Sequence, residues 1–327
     1  MTQTQQRSGW PVRRTLQALG VPPASYYRWR RQAPPAAAPP RASARRSYYE
    51  VLPAERQAIV DYALAHPEIR HRELAWRMLD DGVVAVSAST VYRVLQEANL
   101  VCRWPGKTRV KSRNRPLPPT RADELWQTDI RYTKVGARNY YLLSFVDVYS
   151  RYVVYHELLR TMDGLTVSIA ATAALETLPP GVRPTIQSDN GSGFVAQEFA
   201  GALAGAGVTH TLIRPHTPTD NAVVERCQRT LGEKIDEHEL TSWDQACQVI
   251  AEIIRYYNDE RLHSSLKFLR PVDYYRGDPE ALLAERHRKL TQARELRKQE
   301  NLKLRQRLMP WTGPETLLSA RGRAVSL

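Results

Sequence analysis

The sequence is poor in cysteine and lacks any long apolar run. Its 327 residues include three cysteines, at positions 102, 227 and 247, and no Cys-x-x-Cys pair. This spacing excludes a disulfide framework and argues against a zinc ribbon or zinc finger, so we expect reduced packing residues. No run of eighteen apolar residues is present, which excludes a predicted membrane span. Residues 1–14 have no apolar segment after their charges, unlike a secretory signal, and we expect a cytoplasmic protein.

Charge is distributed unevenly along the chain. Residues 1–120 carry 20 Lys and Arg against 8 Asp and Glu, residues 121–278 carry 16 against 21, and residues 279–327 carry 11 against 5. Two basic flanks around a mildly acidic middle are typical of arms that hold a polyanion and a core that concentrates carboxylates. Nucleic acid is the natural polyanion. A general solubility bias toward arginine is the alternative explanation.

Composition and periodicity divide the chain into seven predicted segments. Two stretches rich in Pro and basic residues lack apolar periodicity and read as linkers. No repeat at a fixed period of 20 to 50 residues is evident. The predicted segments are a small helix-turn-helix head (1–32), a Pro/Ala/Arg linker (33–47), a helix-turn-helix DNA-binding domain (48–104), a basic linker (105–120), an α/β core (121–278), a basic C-terminal helix (279–309) and a tail (310–327).

The head combines helix signals with aromatic and basic residues. Residues 12–19 predict a helix, Gly20 its end, and residues 24–31 a second helix. That order matches the helix-turn-helix pattern. Arginines 28, 30 and 31 alternate with Tyr and Trp, an arrangement suited to phosphate contacts. Equally, the aromatics could form a small core and leave the arginines solvated.

A second helix pair is predicted between the linkers. Residues 53–65 and 73–79 are amphipathic, and Ser87 is a good N-cap for a helix whose Val91, Val94 and Leu95 face inward. The outward residues of this last helix are Ser89, Thr90, Arg93 and Gln96. Short polar and arginine side chains on the second helix of such a pair suit major-groove recognition. A purely structural helix pair is the alternative.

The middle segment changes from helical to strand periodicity. Residues 124–133, 140–149 and 151–158 are β-branched and aromatic runs separated by turn residues, which predicts an antiparallel three-strand meander. Downstream, strands and helices alternate as in a parallel βαβ unit. The sequence therefore predicts a ribonuclease-H-like α/β core: a mixed sheet with helices on both faces. Flanking it are N-terminal all-α helix-turn-helix units and a C-terminal helix.

Three carboxylates stand at element boundaries of this core. Asp129 lies in the first strand, Asp189 ends the fourth, and Glu225 lies one turn into a helix. In a sheet of this order the first and fourth strands are neighbours, so we expect the three side chains to meet. Oxygen ligands without Cys or His favour Mg²⁺ or Mn²⁺. Such a cluster can hold two ions for a phosphodiester displacement.

These residues and their surroundings resemble a known family. The matching runs are WQTDI around Asp129, YLLSFVDVYSRYVV, SDNGSGF, RPHTPTDNAVVERCQRTL around Glu225, and YNDERLHSSL with the later Pro271. Thirty-five residues separate Asp189 from Glu225. The chain resembles the bacterial insertion-sequence transposases that have a retroviral-integrase-type DDE catalytic core. The resemblance covers about 150 residues and extends less tightly to the N-terminal helices.

The resemblance implies metal-dependent cleavage and strand transfer of DNA by a polynucleotidyl transferase. It makes Asp129, Asp189 and Glu225 the catalytic ligands of two Mg²⁺ or Mn²⁺ ions. The implied partners are the element's terminal repeats, target DNA, further copies of the chain on DNA, and an upstream helix-turn-helix/leucine-zipper reading frame. No membrane partner is implied, and the location is the nucleoid. Further implied DNA contacts are Asn190, His216 and Asn221. Asn190 and Gly191 shape the loop behind Asp189, while Thr219 lies with His216 and Asn221 before the catalytic helix, where substrate phosphates should pass. Residues of these types also suit an ordinary loop and N-cap.

Two features depart from the family pattern. The family often places Lys or Arg seven residues after its Glu, where this chain has Gly232. Arg229 is the nearest replacement, one helical turn after Glu225, with Arg226 and Lys234 also available. The zinc head of viral integrases is also missing, because the eight histidines lack ligand spacing.

Other functions remain open from the sequence. A catalytically inactive DNA-binding regulator, or a decayed copy of a transposase, would keep the helix-turn-helix units without catalysis. A ribonuclease or repair nuclease on the same fold is disfavoured by the Glu-terminated triad and the two helix-turn-helix candidates. The long helix predicted over residues 281–308 could contact another protomer or DNA, or be a solvated tail.

Overall fold

The computed structural model of the protein describes residues 10–31, 47–101, 118–214 and 218–308. Two compact units are distinguished, one drawn from residues 1–50 and 297–327 and the other from residues 51–296. Among the described residues, no helix combines the length and apolar composition needed to cross a lipid bilayer. The division of the chain into the seven segments named above stays a prediction.

The smaller unit contains the head. Helix α1 spans Val12–Ala18 and α2 spans Pro23–Arg31, with Gly20 at φ +62° in the turn between them. That left-handed conformation favours glycine and ends α1 as the sequence predicts. Arg28 is exposed on α2, whereas the side chains of Arg30 and Arg31 lie outside the described part. The two-helix pattern of the head is therefore present.

A three-helix bundle opens the larger unit. Its helices are α3 (Pro53–Ala65), α4 (His71–Asp80) and α5 (Ala88–Glu97). The Ser87 Oγ accepts a hydrogen bond from the Thr90 N–H at 3.3 Å, which caps α5 as predicted. The shared apolar core includes Ile59, Leu74, Met78, Val91, Val94 and Leu95.

The α/β core forms a five-stranded mixed sheet. The strands are β1 (Leu125–Val135), β2 (Arg138–Asp147), β3 (Val153–Leu159), β4 (Thr185–Ser188) and β5 (His210–Leu212), in the order β3-β2-β1-β4-β5. The β1/β2 and β2/β3 pairs are antiparallel, and the β1/β4 and β4/β5 pairs are parallel. The topology confirms the predicted ribonuclease-H-like fold.

Helices cover both faces of this sheet. Helices α6 (Gly164–Glu176) and α7 (Gln197–Gly205) pack on one face, and α8 (Ala222–Ile235) and α9 (Trp243–Asp259) on the other. Side chains alternate between faces along a strand, so Trp126 joins the first layer and Val135 the second. Cys227 is packed in the second layer, where burial raises the pKa of its thiol to about 12. It is a packing residue, as its spacing indicates.

Two helices follow the core. Helix α10 spans Pro271–Tyr275, and α11 spans Pro279–Leu308. Buried Arg286 of α11 donates to the Asp80 carboxylate and to the carbonyls of Lys267 and Phe268, and its guanidinium lies 4.9 Å from the Trp76 ring centroid. Around Arg286, α11 is therefore a packed element and not a solvated tail.

Candidate active site

The register between β1 and β4 brings two of the three predicted carboxylates together. Thr128 of β1 pairs with Ser188 of β4 in parallel orientation. Asp129 and Asp189 each follow this last pair by one residue. They consequently sit side by side at the carboxyl end of β4, and both are half-buried. Glu225 lies on the first turn of α8 and is exposed.

Electrostatics couples the three acids. Burial raises the pKa of Asp129 to about 6, and the charges of Asp189 and Glu225 act in the same direction, against a hydrogen bond from the Ile130 N–H. That bond measures 2.9 Å to Asp129 Oδ1. On Asp189, Oδ1 accepts from the Gly191 N–H at 2.9 Å. The charges of Asp189 and Glu225 therefore act on the partly desolvated space around Asp129. The single metal-binding site that the sequence predicts for the three carboxylates stays a prediction.

The donor set of this space suits a hard cation. All its side-chain ligands would be carboxylate oxygens, which Mg²⁺ and Mn²⁺ prefer. In the part of the chain that the structure describes, no three His, Cys, Asp or Glu side chains converge closely enough to hold an ion. One oxygen of each aspartate is occupied by a backbone N–H. The residues fit the cation by chemistry and charge.

Gln127 attaches the beginning of α8 to β1. Its Nε2 donates to the Asp220 carbonyl and to Gln187 Oε1, and its Oε1 accepts from the N–H groups of Val223 and Val224 at 3.2 Å. Those N–H groups belong to the first turn of α8, which lacks a side-chain cap from Asn221. Gln127 thus caps the first turn of α8 from the neighbouring strand β1.

The loop after Asp189 is held by close backbone contacts. A Cβ at position 193 would lie 2.7 Å from the Met162 carbonyl oxygen, so glycine is required there. The Gly191 N–H is the donor to Asp189. Asn190, a predicted DNA contact, is exposed beside this loop. The glycines of SDNGSGF therefore position the carboxylate and leave Asn190 accessible.

The remaining predicted contacts near the triad differ in exposure. Arg229 is exposed on α8, whereas Asn221 is buried and its Oδ1 has no hydrogen-bond partner among the described residues. His216 lies outside the described residues. The DNA-binding roles of these residues stay predictions.

Helix α5 presents the predicted base-reading residues. Ser89, Arg93 and Gln96 are exposed, whereas Thr90 is half-buried. The Thr90 hydroxyl lies 3.0 Å from Ser87 Oγ and accepts from Arg93 Nη2 at 3.3 Å. Thr90 therefore helps to begin α5, and the other three side chains form its outer face.

Two of the family-like motifs stabilise the fold instead of forming the site. Fully buried Asp147 accepts from the N–H groups of Asp123 and Ser150, at 3.0 and 2.7 Å, and from the Ser150 hydroxyl. Asn258 exchanges two hydrogen bonds with the backbone of Val153, at 2.9 and 3.0 Å, and so joins α9 to the edge strand β3. The runs SFVDVYSR and YNDERLHSSL therefore contain bonds that hold the sheet and α9 together.

His263, in the second of these motifs, makes stability depend on pH. Burial lowers its pKa to about 3, helped by the charges of Arg261, Arg151 and Arg226 and opposed by a hydrogen bond to the Tyr257 backbone. Below the ordinary pKa of 6.5 the unfolded chain gains a proton that the folded chain does not, so stability falls as pH drops from 6.5 toward 3. We expect His263→Gln to remove about 1 to 2 kcal/mol of the stability loss between pH 7 and pH 5.

Denaturant unfolding at the two pH values measures this difference. The variant His287→Gln, at an exposed position, provides the matched control for the loss of one histidine. Equal pH profiles for native protein and His263→Gln would show that His263 does not titrate differently on folding.

Comparison with family models identifies the domain that carries the three carboxylates. Residues 119–218 and residues 206–271 each match a model described as an integrase core domain. These matches contain Asp129, Asp189 and Glu225. They confirm the resemblance on which the sequence-based interpretation rests.

Several curated relatives are insertion-sequence proteins. The chain is 30% identical to an uncharacterized 39.2 kDa protein of insertion element IS476 from Xanthomonas euvesicatoria, over 62% of this chain and 61% of the relative. It is 28% identical to the putative transposase InsK for IS150 from Escherichia coli, over 52% and 60%. For an IS600 31 kDa protein of Shigella sonnei the identity is 25% over 79% and 96%. The chain thus spans about three fifths of the first two relatives.

Solved structures with partial similarity are viral integrases. The simian T-cell lymphotropic virus intasome bound to a PP2A regulatory subunit gives a TM-score of 0.44 at 18% identity, over 67% of this chain and 74% of that one. The HTLV-2 integrase catalytic core domain in complex with magnesium gives 0.39 at 20% identity, over 50% and 100%.

Proposed function

The chain contains an integrase core domain of the kind found in bacterial insertion-sequence transposases, and from this premise we propose that it is a transposase. It binds the terminal DNA of its element, cleaves a phosphodiester there and joins the freed end to target DNA. The observation that carries this proposal is the juxtaposition of Asp129 and Asp189 by the β1/β4 register, with Glu225 close enough to affect the pKa of Asp129.

The chemistry follows from what these residues can do. In the first step water attacks a phosphodiester at the element end, forming one P–O bond and releasing a 3′-hydroxyl. In the second step that hydroxyl attacks a target phosphodiester, and one P–O bond again replaces another. Asp129, Asp189 and Glu225 would hold two divalent cations, which supply activation of the attacking oxygen and stabilisation of the departing one. Asp129 and Asp189 are both half-buried, so solvent reaches these two carboxylates only in part.

The helical units would supply the DNA specificity. Exposed Ser89, Arg93 and Gln96 on α5 have the lengths and donors needed to reach base edges and nearby phosphates. Arg28 on α2 adds an exposed cation for phosphate contact. Two element ends must be joined together, which favours several copies of the chain on DNA.

A joining assay tests the proposal. Labelled DNA with the element's terminal sequence is incubated with plasmid and Mg²⁺ or Mn²⁺, using native protein and Asp189→Asn. We expect joined product from native protein only. End-specific binding by both proteins, with no product from either, would support the inactive DNA-binding regulator instead.

A further inference from the structure

One face of β1 packs along α8, and alternate residues of the strand contact successive turns of the helix. Gln127 bonds the first turn of α8, and Gln228 of α8 donates to the Asp129 carbonyl at 3.3 Å. Two residues further along the strand, Arg131 reaches Asp236 just after the end of the helix. Alternate strand residues share a face, so Asp129 and Arg131 point to the same side of the sheet. They lie about 7 Å apart along the strand.

The guanidinium of Arg131 lies directly over Gly232. A Cβ built at position 232 would be 2.2 Å from Cζ, 2.3 Å from Nη1 and 2.5 Å from Nη2 of Arg131. No other side chain fits there without displacing the arginine. Seven residues, or about two helical turns, separate Gly232 from Glu225, so both lie on the same face of α8. Glycine therefore makes room for a cation delivered by the strand.

The Arg131 guanidinium has hydrogen-bond donors that are not used within the described residues. Nη2 of Arg131 bonds Asp236 at 3.2 and 3.4 Å, and Asp236 has a side chain that is 69% exposed. An ion pair this open contributes little free energy and can be exchanged for a phosphate. Among the described residues Nη1 makes no hydrogen bond, and Nε is buried without a partner. The arginine is thus oriented by Asp236 without being saturated.

We propose that Arg131 contacts a DNA phosphate about two nucleotide steps from the reacting phosphodiester, and that Gly232 leaves the space for its guanidinium to do so. The inference rests on the proposed function and adds a specific substrate contact to it. The backbone positions of Arg131 and Asp129 lie about 7 Å apart along β1, and this spacing matches about two nucleotide steps along a DNA duplex. A guanidinium forms paired bonds to phosphate, which fixes the DNA strand relative to the carboxylates.

The test measures how DNA binding depends on salt. All proteins carry Asp189→Asn to prevent cleavage, and the probe is a labelled duplex with the element's terminal sequence. Each lost phosphate contact reduces the slope of log affinity against log salt by about 0.9. We expect Arg131→Gln to lower the slope by that amount, so that the Asp189→Asn parent loses about threefold more affinity than the Arg131→Gln variant between 50 and 200 mM salt.

Three further variants separate contact from net charge and from folding. Arg183→Gln removes the same charge from an exposed residue before β4, at the opposite end of that strand from Asp189, and should leave the slope unchanged. Asp236→Asn releases the guanidinium and should not reduce the slope. Gly232→Lys combined with Arg131→Ala moves the cation from the strand to the helix. We expect this double variant to restore the slope of the parent protein.

The outcomes distinguish the inference from the proposed function. A slope for Arg131→Gln equal to that of Arg183→Gln would overturn the inference while leaving the transposase proposal intact. An equal reduction of the slope by Asp236→Asn and by Arg131→Gln would also overturn the inference, because the ion pair with Asp236 would then be the only role of Arg131. No terminal-specific binding by the parent protein, with no joining by native protein, would refute the proposed function itself.

Discussion

Replacing Glu225 by glutamine is expected to abolish DNA joining while leaving the fold and DNA binding in place. Glutamine keeps the size of the side chain but removes the charge that the proposed cations require. Losing about 4 kcal/mol of transition-state stabilisation corresponds to about a thousandfold loss of rate, and we expect a decrease of at least that order. Glu225 is exposed on the first turn of α8, so the cost in stability should be small. The joining assay and thermal unfolding measure the two effects separately.

The same helix offers a matched control. Glu233 is also exposed on α8 and carries the same charge, so Glu233→Gln should retain activity within a few-fold of native protein. Equal activity of Glu225→Gln and native protein would remove Glu225 from the catalytic set. Equal loss in both variants would indicate a nonspecific charge effect on α8.

Replacing Arg286 by methionine is expected to lower the free energy of unfolding by about 3 kcal/mol. Arg286 is 5% exposed and joins three separate parts of the larger unit: α11, the Asp80 end of α4, and the segment before α10. The two carbonyls it bonds belong to Lys267 and Phe268, which have φ values of +53° and +60°. Methionine would fill the space but leave these acceptors and the Asp80 carboxylate without their donor.

Arg288 serves as the control on the same helix. It forms an exposed i,i+3 ion pair with Glu285, so Arg288→Met should leave the unfolding midpoint close to that of the native protein. Urea unfolding of the three proteins gives the comparison. A loss below about 1 kcal/mol for Arg286→Met would mean that solvent replaces its bonds readily, since the Asp80 side chain is 40% exposed.

Much of the fold could be predicted because the hydrophobic periodicity of each helix and strand is visible within a short segment of the sequence. The three strand runs, the βαβ alternation and the Ser87 cap are each written within a short segment. The juxtaposition of Asp129 and Asp189 also followed, since strand order alone makes β1 and β4 neighbours. These features depend on local pattern and on topology, which short windows and general rules describe well.

The interactions that complete the site could not be predicted in this way. The Gln127 bonds to α8 and the contact of Arg131 with Gly232 each join residues about one hundred positions apart. No local pattern marks Gln127 as a cap, and a lone helical glycine indicates only reduced helix propensity. Gly232 was a departure from the family pattern in the sequence, and the structure shows that the Arg131 guanidinium occupies the space that a side chain there would need. Asp147 and Asn258 likewise belong to motifs that the sequence identifies. Their hydrogen-bond partners are evident only in the folded structure.

Alternate residues of β1 contact successive turns of α8. Insertions and deletions within either element would therefore disrupt these contacts. Deleting one residue between Asp129 and Arg131 would turn the following side chains to the opposite face of the sheet. One residue added within α8 between Glu225 and Gly232 would rotate the glycine by about 100° and place a side chain under the guanidinium. In homologous genes, length changes should therefore avoid these two short windows and accumulate in the connections outside them.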